Sequence, residues 1–295
     1  YWGFLIWGFY FLTCFYFCVI EPKVKFFEIP WVKFLNNVVI IGTCAFTAYL
    51  LLSNLPWYIP ELGDGSSVIP AFYLIVLAAI CFAVYSSTDI KYVRFLSIAT
   101  TWLFIALIGF MWADAFLFGD SELSAFTQNI GLIGNYFANI NEFILPLNDY
   151  HEFYLFWWFA WSIMIGQFTS RFVGGLKTYQ VLGAMLIFPS IPIAIWFSVL
   201  YHYHEAGIPT AGIKNFAMVF VGIVFVINSL DSLIRLYTDN LNLTVKRLGK
   251  FKYIAMNVIA LSLLTLLFKL EFLQIQWVGA LVIGLFFICL GFIAY

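Results

Sequence analysis

The chain has 295 residues, of which 64% are apolar, 21% aromatic and only 10% charged. A soluble fold of this size cannot hide that much apolar surface, and the composition also excludes disorder and an alternating membrane β-barrel. Net charge is −1, from 14 basic and 15 acidic residues, so nothing points to a nucleic-acid partner. What remains is an all-α, polytopic membrane protein whose partner is the lipid bilayer. The chain opens at Tyr1 inside an apolar run and is expected to be a portion of something longer. The excess of Phe, 35 residues, resembles coding in an AT-rich bacterial or organellar genome.

Apolar runs of spanning length predict about nine transmembrane helices, near 1–20, 34–55, 69–87, 93–118, 152–173, 178–202, 214–236, 251–270 and 273–295. Glu21-Pro22-Lys23 opens the first connection, and Leu62 to Ser67 marks the second. The longest connection runs from Gly119 to His151. Its centre, Ser124 to Ile144, reads as an interfacial amphipathic helix with Phe126, Ile130, Ile133 and Phe137 toward lipid or protein. With the N-terminus outside, 12 of the 14 basic residues fall in inside connections: Lys23, Lys25, Lys33, Lys91, Arg94, Arg171, Lys177, Arg235, Lys246, Arg247, Lys250 and Lys252. Only Lys214 and Lys269 fall outside, and the odd number of spans leaves the C-terminus inside. The expected location is a bacterial or mitochondrial inner membrane.

Several chemistries have no residues to carry them. Cys14, Cys18, Cys44, Cys81 and Cys289 all lie in apolar spans and are expected as small core residues, without a disulfide framework. His202 and His204 with Glu205 sit at a span end, but residues two apart on a helix face different ways, so they read as interfacial polar residues rather than a metal site. Nucleotide, nucleophile and haem motifs are absent, and no enzymatic activity is expected.

Two clusters inside the spans do stand out. In the first span, Trp2, Trp7 and Tyr10 fall at 0°, about 140° and about 80° on a helical wheel and share one face. In the fifth, the run Phe153 to Trp161 contains Trp157, Trp158 and Trp161, with Trp157 and Trp161 four residues apart on one stripe. Trp prefers the membrane interface, so tryptophans well inside a span fit either dense packing or an aromatic cage for a quaternary ammonium, which offers no hydrogen-bond donor. The second cluster is polar: Asn228, Ser229, Asp231 and Ser232, followed by Arg235. Such oxygens in a span suit an alkali cation or a gate; the plainer reading is an Asp231–Arg235 pair four residues apart.

These residues resemble the betaine/choline/carnitine transporter family. FYLFWWFAWSIMIGQFTSRFVGG, Phe153 to Gly175, resembles its signature helix through Trp157, Trp158, Trp161, Ser162, Gly166 and Arg171. Trp2, Trp7 and Tyr10 resemble its fourth helix, and STDIKYVRFLS, Ser87 to Ser97, its inner link. Gly134-Asn135-Tyr136, Trp196-Phe197-Ser198 and Asn228 to Ser232 follow in family order. Asn228, Ile163 and Leu155 stand where the family has Thr, Pro and an aromatic residue.

The resemblance starts at the family's fourth helix. It therefore implies an incomplete inverted-repeat secondary-transporter fold of the APC/LeuT-like type: residues 1–118 a partial first repeat, 119–151 the outer connection and 152–295 the second repeat. It implies transport of betaine, choline or carnitine by alternating access, with Trp2, Trp7, Tyr10, Phe153, Trp157, Trp158 and Trp161 at the substrate. Asn228, Ser229, Asp231 and Ser232 would form the ion site or gate. No cofactor is implied beyond Na+ as a coupling ion, and ordered lipids are expected. A separate chain or segment would supply the missing helices. The alternative is a transporter-derived structural subunit of a larger inner-membrane complex, such as a respiratory assembly, with that complex's subunits as partners.

Overall fold

The computed structural model describes residues 3–119 and 121–294, which leaves Trp2 and Asp120 outside the described residues. Helix α1 (Gly3–Phe15) passes through a π-helical turn, Tyr16–Ile20, into the short α2 (Glu21–Val24). Then come α3 (Pro30–Tyr58), α4 (Pro70–Ser86), α5 (Ile90–Phe116), α6 (Leu123–Ala138) and α7 (Asp149–Ser170). The chain ends with α8 (Thr178–Glu205), α9 (Ile213–Asn240), the short α10 (Val245–Leu248), α11 (Lys250–Lys269) and α12 (Ile275–Ala294). The described residues contain no strand.

Local chemistry sets these boundaries. Pro30 and Pro70 occupy first turns, where a missing N–H leaves no bond unmade. Asp89 caps α5 by accepting from the Lys91 amide at 2.9 Å, and Asn148 caps α7 by accepting from the His151 amide at 2.9 Å. Gly249, at φ 77°, allows the left-handed turn that joins α10 to α11.

A helix stands at every expected span, and the protein is an all-helical polytopic membrane protein. Among the described residues, seven helices are long and apolar enough to cross a membrane by length and composition. Helix α4 has 17 residues, and α7 opens with Asp149 and Glu152, which lowers the apolarity of its first turn. The 119–151 connection contains α6, as expected. Helix α6 rests on α8; Phe126 packs against Trp112 and Phe116, with ring centroids 6.0 and 5.4 Å away. Phe126 and Ile133 are half-buried, whereas Ile130 and Phe137 are exposed on the same face, with Phe137 meeting Phe4 of α1 edge-on at 5.2 Å.

The core is built around α3. Of its apolar stretch 61% is buried, against 33% in α9 and 28% or less in the other helices of spanning length and apolarity. It packs on α4, α7, α9, α11 and α12. Helix α7 is gripped from both sides by close approaches at glycine. A Cβ on Gly166 would come within 2.8 Å of the Thr13 backbone of α1, and one on Gly279 of α12 within 2.9 Å of the Phe156 carbonyl. Small residues at such crossings let the backbones meet.

The cysteines and the His pair divide more sharply than the sequence suggests. Cys14, Cys44 and Cys289 are buried, but Cys18 and Cys81 are exposed on outward faces of their helices; all five are free thiols. His202 turns inward, bonds Ser121 Oγ at 2.8 Å and stacks on Phe116, while His204 and Glu205 are exposed. The two-residue spacing separates the rings as helix geometry requires.

Side-chain pairing groups the helix ends. At one end, Arg171 of α7 meets Asp239 at 3.7 Å and Asn240 at 3.3 Å on α9, Asn36 of α3 bonds Gln167 of α7, and Lys250 lies 4.2 Å above the Tyr85 ring. At the other, Lys214 of α9 pairs with Asp114 of α5 at 2.9 Å beside Tyr203 of α8. The first end gathers most of the basic residues, and Lys214 is on the second, as the alternation of helices demands.

Candidate functional site

The aromatic residues of α1 and α7 meet where those helices cross. The Tyr10 hydroxyl donates to the Trp158 carbonyl at 3.0 Å, and Thr13 Oγ1 lies 2.9 Å from the Ser162 carbonyl. Both bonds use backbone acceptors on α7, so they fix the two helices together while leaving the rings free to pack on each other.

Those rings form a continuous chain. Trp7 meets Tyr10 edge-on at 5.4 Å, and Tyr10 meets Trp158 at 6.4 Å. Trp158 meets Trp157 at 5.1 Å, and Trp157 meets Trp161 at 6.3 Å with the planes perpendicular. Trp161 packs on both the α1–α8 cluster around Met185 and the main core, so it joins the two. Phe153 packs on Phe46 of α3 at 5.8 Å and reaches the group through Tyr154. Trp2 lies outside the described residues. Six of the seven aromatic residues singled out in the sequence are thus described; five touch one another in turn, and Phe153 joins them through Tyr154.

The indole nitrogens are unusual. Nε1 of Trp157 and of Trp161 are both buried with no hydrogen-bond acceptor. An N–H withdrawn from water without a partner costs about 1–3 kcal/mol. These two donors belong to the last two links of the ring chain.

The polar cluster of α9 is arranged differently. Asn228 Oδ1 accepts from Ser97 Oγ of α5 at 2.9 Å. Asp231 is fully buried; its Oδ2 accepts from Ser86 Oγ of α4 at 2.6 Å and its Oδ1 from Ser232 Oγ at 3.1 Å. Ser229 is half-buried on the same helix. Asn228 and Asp231 therefore serve two different helix contacts, and α9 runs unbroken past both. The Asp231–Arg235 pair that the spacing allowed does not form. Arg235 instead meets Asp239 at 3.2 Å, one turn further on, and donates to the Ser87 carbonyl. Asp231 is consumed by Ser86, so Arg235 turns to the helix end, where its charge stays in reach of water.

Sequence reasoning missed most of the groups that complete this junction. Tyr253 of α11 bonds Ser87 at 2.9 Å and Thr238 at 3.2 Å, and Tyr237 bonds Asn257. The one available signal was an amide or hydroxyl inside an apolar run, such as Asn36-Asn37 or Ser86-Ser87, since polar residues in spans find partners.

The structure thus presents a helical membrane bundle with an aromatic chain at one buried crossing and a saturated polar junction at another. No protein-family model matches the chain. It is 25% identical over 140 residues to glycine betaine transporter 1 of Vibrio parahaemolyticus, which covers 47% of this chain and 26% of that protein. It is 28% identical over 86 residues to uncharacterized transporters of Mycobacterium bovis and Mycobacterium tuberculosis, 26% of this chain and 14% of theirs. The chain therefore spans about a quarter or less of the length of the relatives it matches.

Proposed function

We propose that the chain belongs to a membrane transporter, not an enzyme, and that the α1–α7 crossing contacts a quaternary-ammonium solute of the betaine, choline or carnitine type. The observation that carries this reading is the ring chain Trp7–Tyr10–Trp158–Trp157–Trp161 with two unpartnered indole N–H groups inside it. Ring faces attract a cation that has no donor of its own. Indole N–H groups suit the carboxylate or hydroxyl at the other end of the same solute. A betaine supplies both halves, and the similarity to a glycine betaine transporter supports that class over a purely structural subunit.

Alternating access is the transport mode that the sequence resemblance implies. The 1–118 and 152–295 segments would be a partial first and a complete second repeat, and helices outside this chain would close the path. Asn228, Ser229, Asp231 and Ser232 would serve coupling by Na+ or a gate, and the basic end of the bundle would face the cytoplasm or matrix.

Equilibrium binding of radiolabelled choline and glycine betaine to the chain in nanodiscs tests the reading. Trp161→Leu should weaken binding roughly 30-fold, the equivalent of about 2 kcal/mol for a desolvated cation–π contact. Trp102→Leu, at a ring that is 66% exposed on α5, should leave it unchanged. Equal affinity in wild type and Trp161→Leu would remove the aromatic crossing from the proposal.

A further inference from the structure

At the basic end of the bundle a cavity opens, about 500 Å³ in volume, between the α1–α3 connection, α7 and α9. Its polar lining is Glu21, Glu28, Lys33, Asn36, Gln167 and Asn240. Two carboxylates and one ammonium leave this lining with one net negative charge. The buried side-chain atom of this lining that lacks a hydrogen bond is an oxygen. Asn36 is only 2% exposed; its Nδ2 donates to Gln167 Oε1 at 3.1 Å, while its Oδ1 has no hydrogen-bond partner. Glu21 is held in place from two sides, by the Tyr16 hydroxyl at 2.7 Å and the Phe27 amide at 2.8 Å. The π-helical turn Tyr16–Ile20 leads directly into it, and such turns are frequent at functional sites. Phe17 and Phe27 supply ring surface, with centroids 4.9 Å apart.

We propose that this cavity binds a small organic cation that carries N–H donors, a primary ammonium or a guanidinium. The net negative lining calls for a cation. A buried amide oxygen without a partner calls for a donor, which a quaternary ammonium lacks. The rings cover the apolar part of the ligand. A bare metal ion does not fit, because the space is large and the described residues contain no group of three or more His, Cys, Asp or Glu placed to hold one. This ligand class is the complement of the one proposed for the α1–α7 crossing, and the inference does not rest on that reading.

Equilibrium dialysis of radiolabelled n-butylammonium against the whole chain in nanodiscs tests the inference, with n-butyltrimethylammonium as the matched competitor. Saturable binding is expected, with the quaternary competitor about tenfold weaker or worse, because it leaves the Asn36 oxygen unpaired. Glu28→Gln, at an exposed residue, should weaken binding about fivefold without touching the fold, and Asn36→Leu should erase the preference for the primary amine. Trp161→Leu should change nothing here, which separates this site from the aromatic crossing. Absence of saturable binding, equal displacement by the quaternary compound, or binding that falls in Trp161→Leu but not in Glu28→Gln would overturn the inference.

Discussion

The α1–α7 crossing and the α4–α9–α11 junction both bury polar atoms among apolar helices, and they treat them in opposite ways. At the junction, Asp231, Ser86, Ser87, Thr238, Tyr253, Tyr237 and Asn257 all find partners on neighbouring helices or on their own. At the crossing, the hydroxyls of Tyr10 and Thr13 are satisfied, but the indole N–H groups of Trp157 and Trp161 are not. Water cannot rescue an unpaired group inside a membrane, so a saturated network ties helices together, whereas an unsatisfied donor among rings is an open valence for a ligand. On the proposed reading the crossing contacts the solute, while the junction ties helices together beside the residues proposed for coupling or a gate.

Substitutions at the two regions should separate these roles. The largest effect is expected from Gly166→Val, which forces a side chain into the Thr13 backbone; a thermal unfolding series in detergent should show a loss of about 3 kcal/mol. Gly222→Val on α9, where nothing lies within 4 Å, should stay within about 0.5 kcal/mol. Matched losses at the two glycines would mean that the crossing is not tightly packed. Next comes Asp231→Ala, expected to cost about 2–3 kcal/mol by stranding the Ser86 and Ser232 hydroxyls. Asp231→Asn keeps an acceptor and should cost about 1 kcal/mol. If Asp231→Ala melted with the wild type, the junction would not be a structural tie.

Tyr10→Phe removes one bond to a backbone carbonyl and should cost about 1 kcal/mol in the same assay. Trp157→Phe should have the smallest net effect on stability, within about 0.5 kcal/mol, because relief of the unpartnered N–H offsets the packing lost with the smaller ring. Its consequence should appear in binding: glycine betaine weakened about fivefold, tetramethylammonium nearly unchanged. A parallel loss for both ligands would show that the indole nitrogen plays no part.

The spans were legible because lipid imposes a single rule: each crossing needs some twenty apolar residues with its backbone bonds internal. The Trp157–Trp161 stripe was legible for a similar reason, since four residues on a helix bring side chains to one face. Direction within the bundle was not. Phe153 lies in the same aromatic run but turns to Phe46 of α3, and Asp231 chose Ser86, 145 positions away in sequence, over the nearby Arg235. Helical periodicity fixes which residues share a face but not which helix that face will meet, so long-range partners stay hidden. The Asn36–Gln167 contact and the cavity beside it were hidden in the same way, and the signal in two adjacent amides within an apolar run, Asn36-Asn37, went unread.

The most direct test of the central claim compares choline with 3,3-dimethylbutan-1-ol, its neutral carbon counterpart, in equilibrium binding to the wild-type chain. The two have nearly the same shape and the same hydroxyl, and differ in the charge. If ring faces at the α1–α7 crossing recognise a cation, choline should bind roughly 30-fold more tightly, and Trp161→Leu should close most of that gap. Equal affinity for the charged and neutral compounds would show that the crossing is apolar packing and would contradict the assignment of recognition to it.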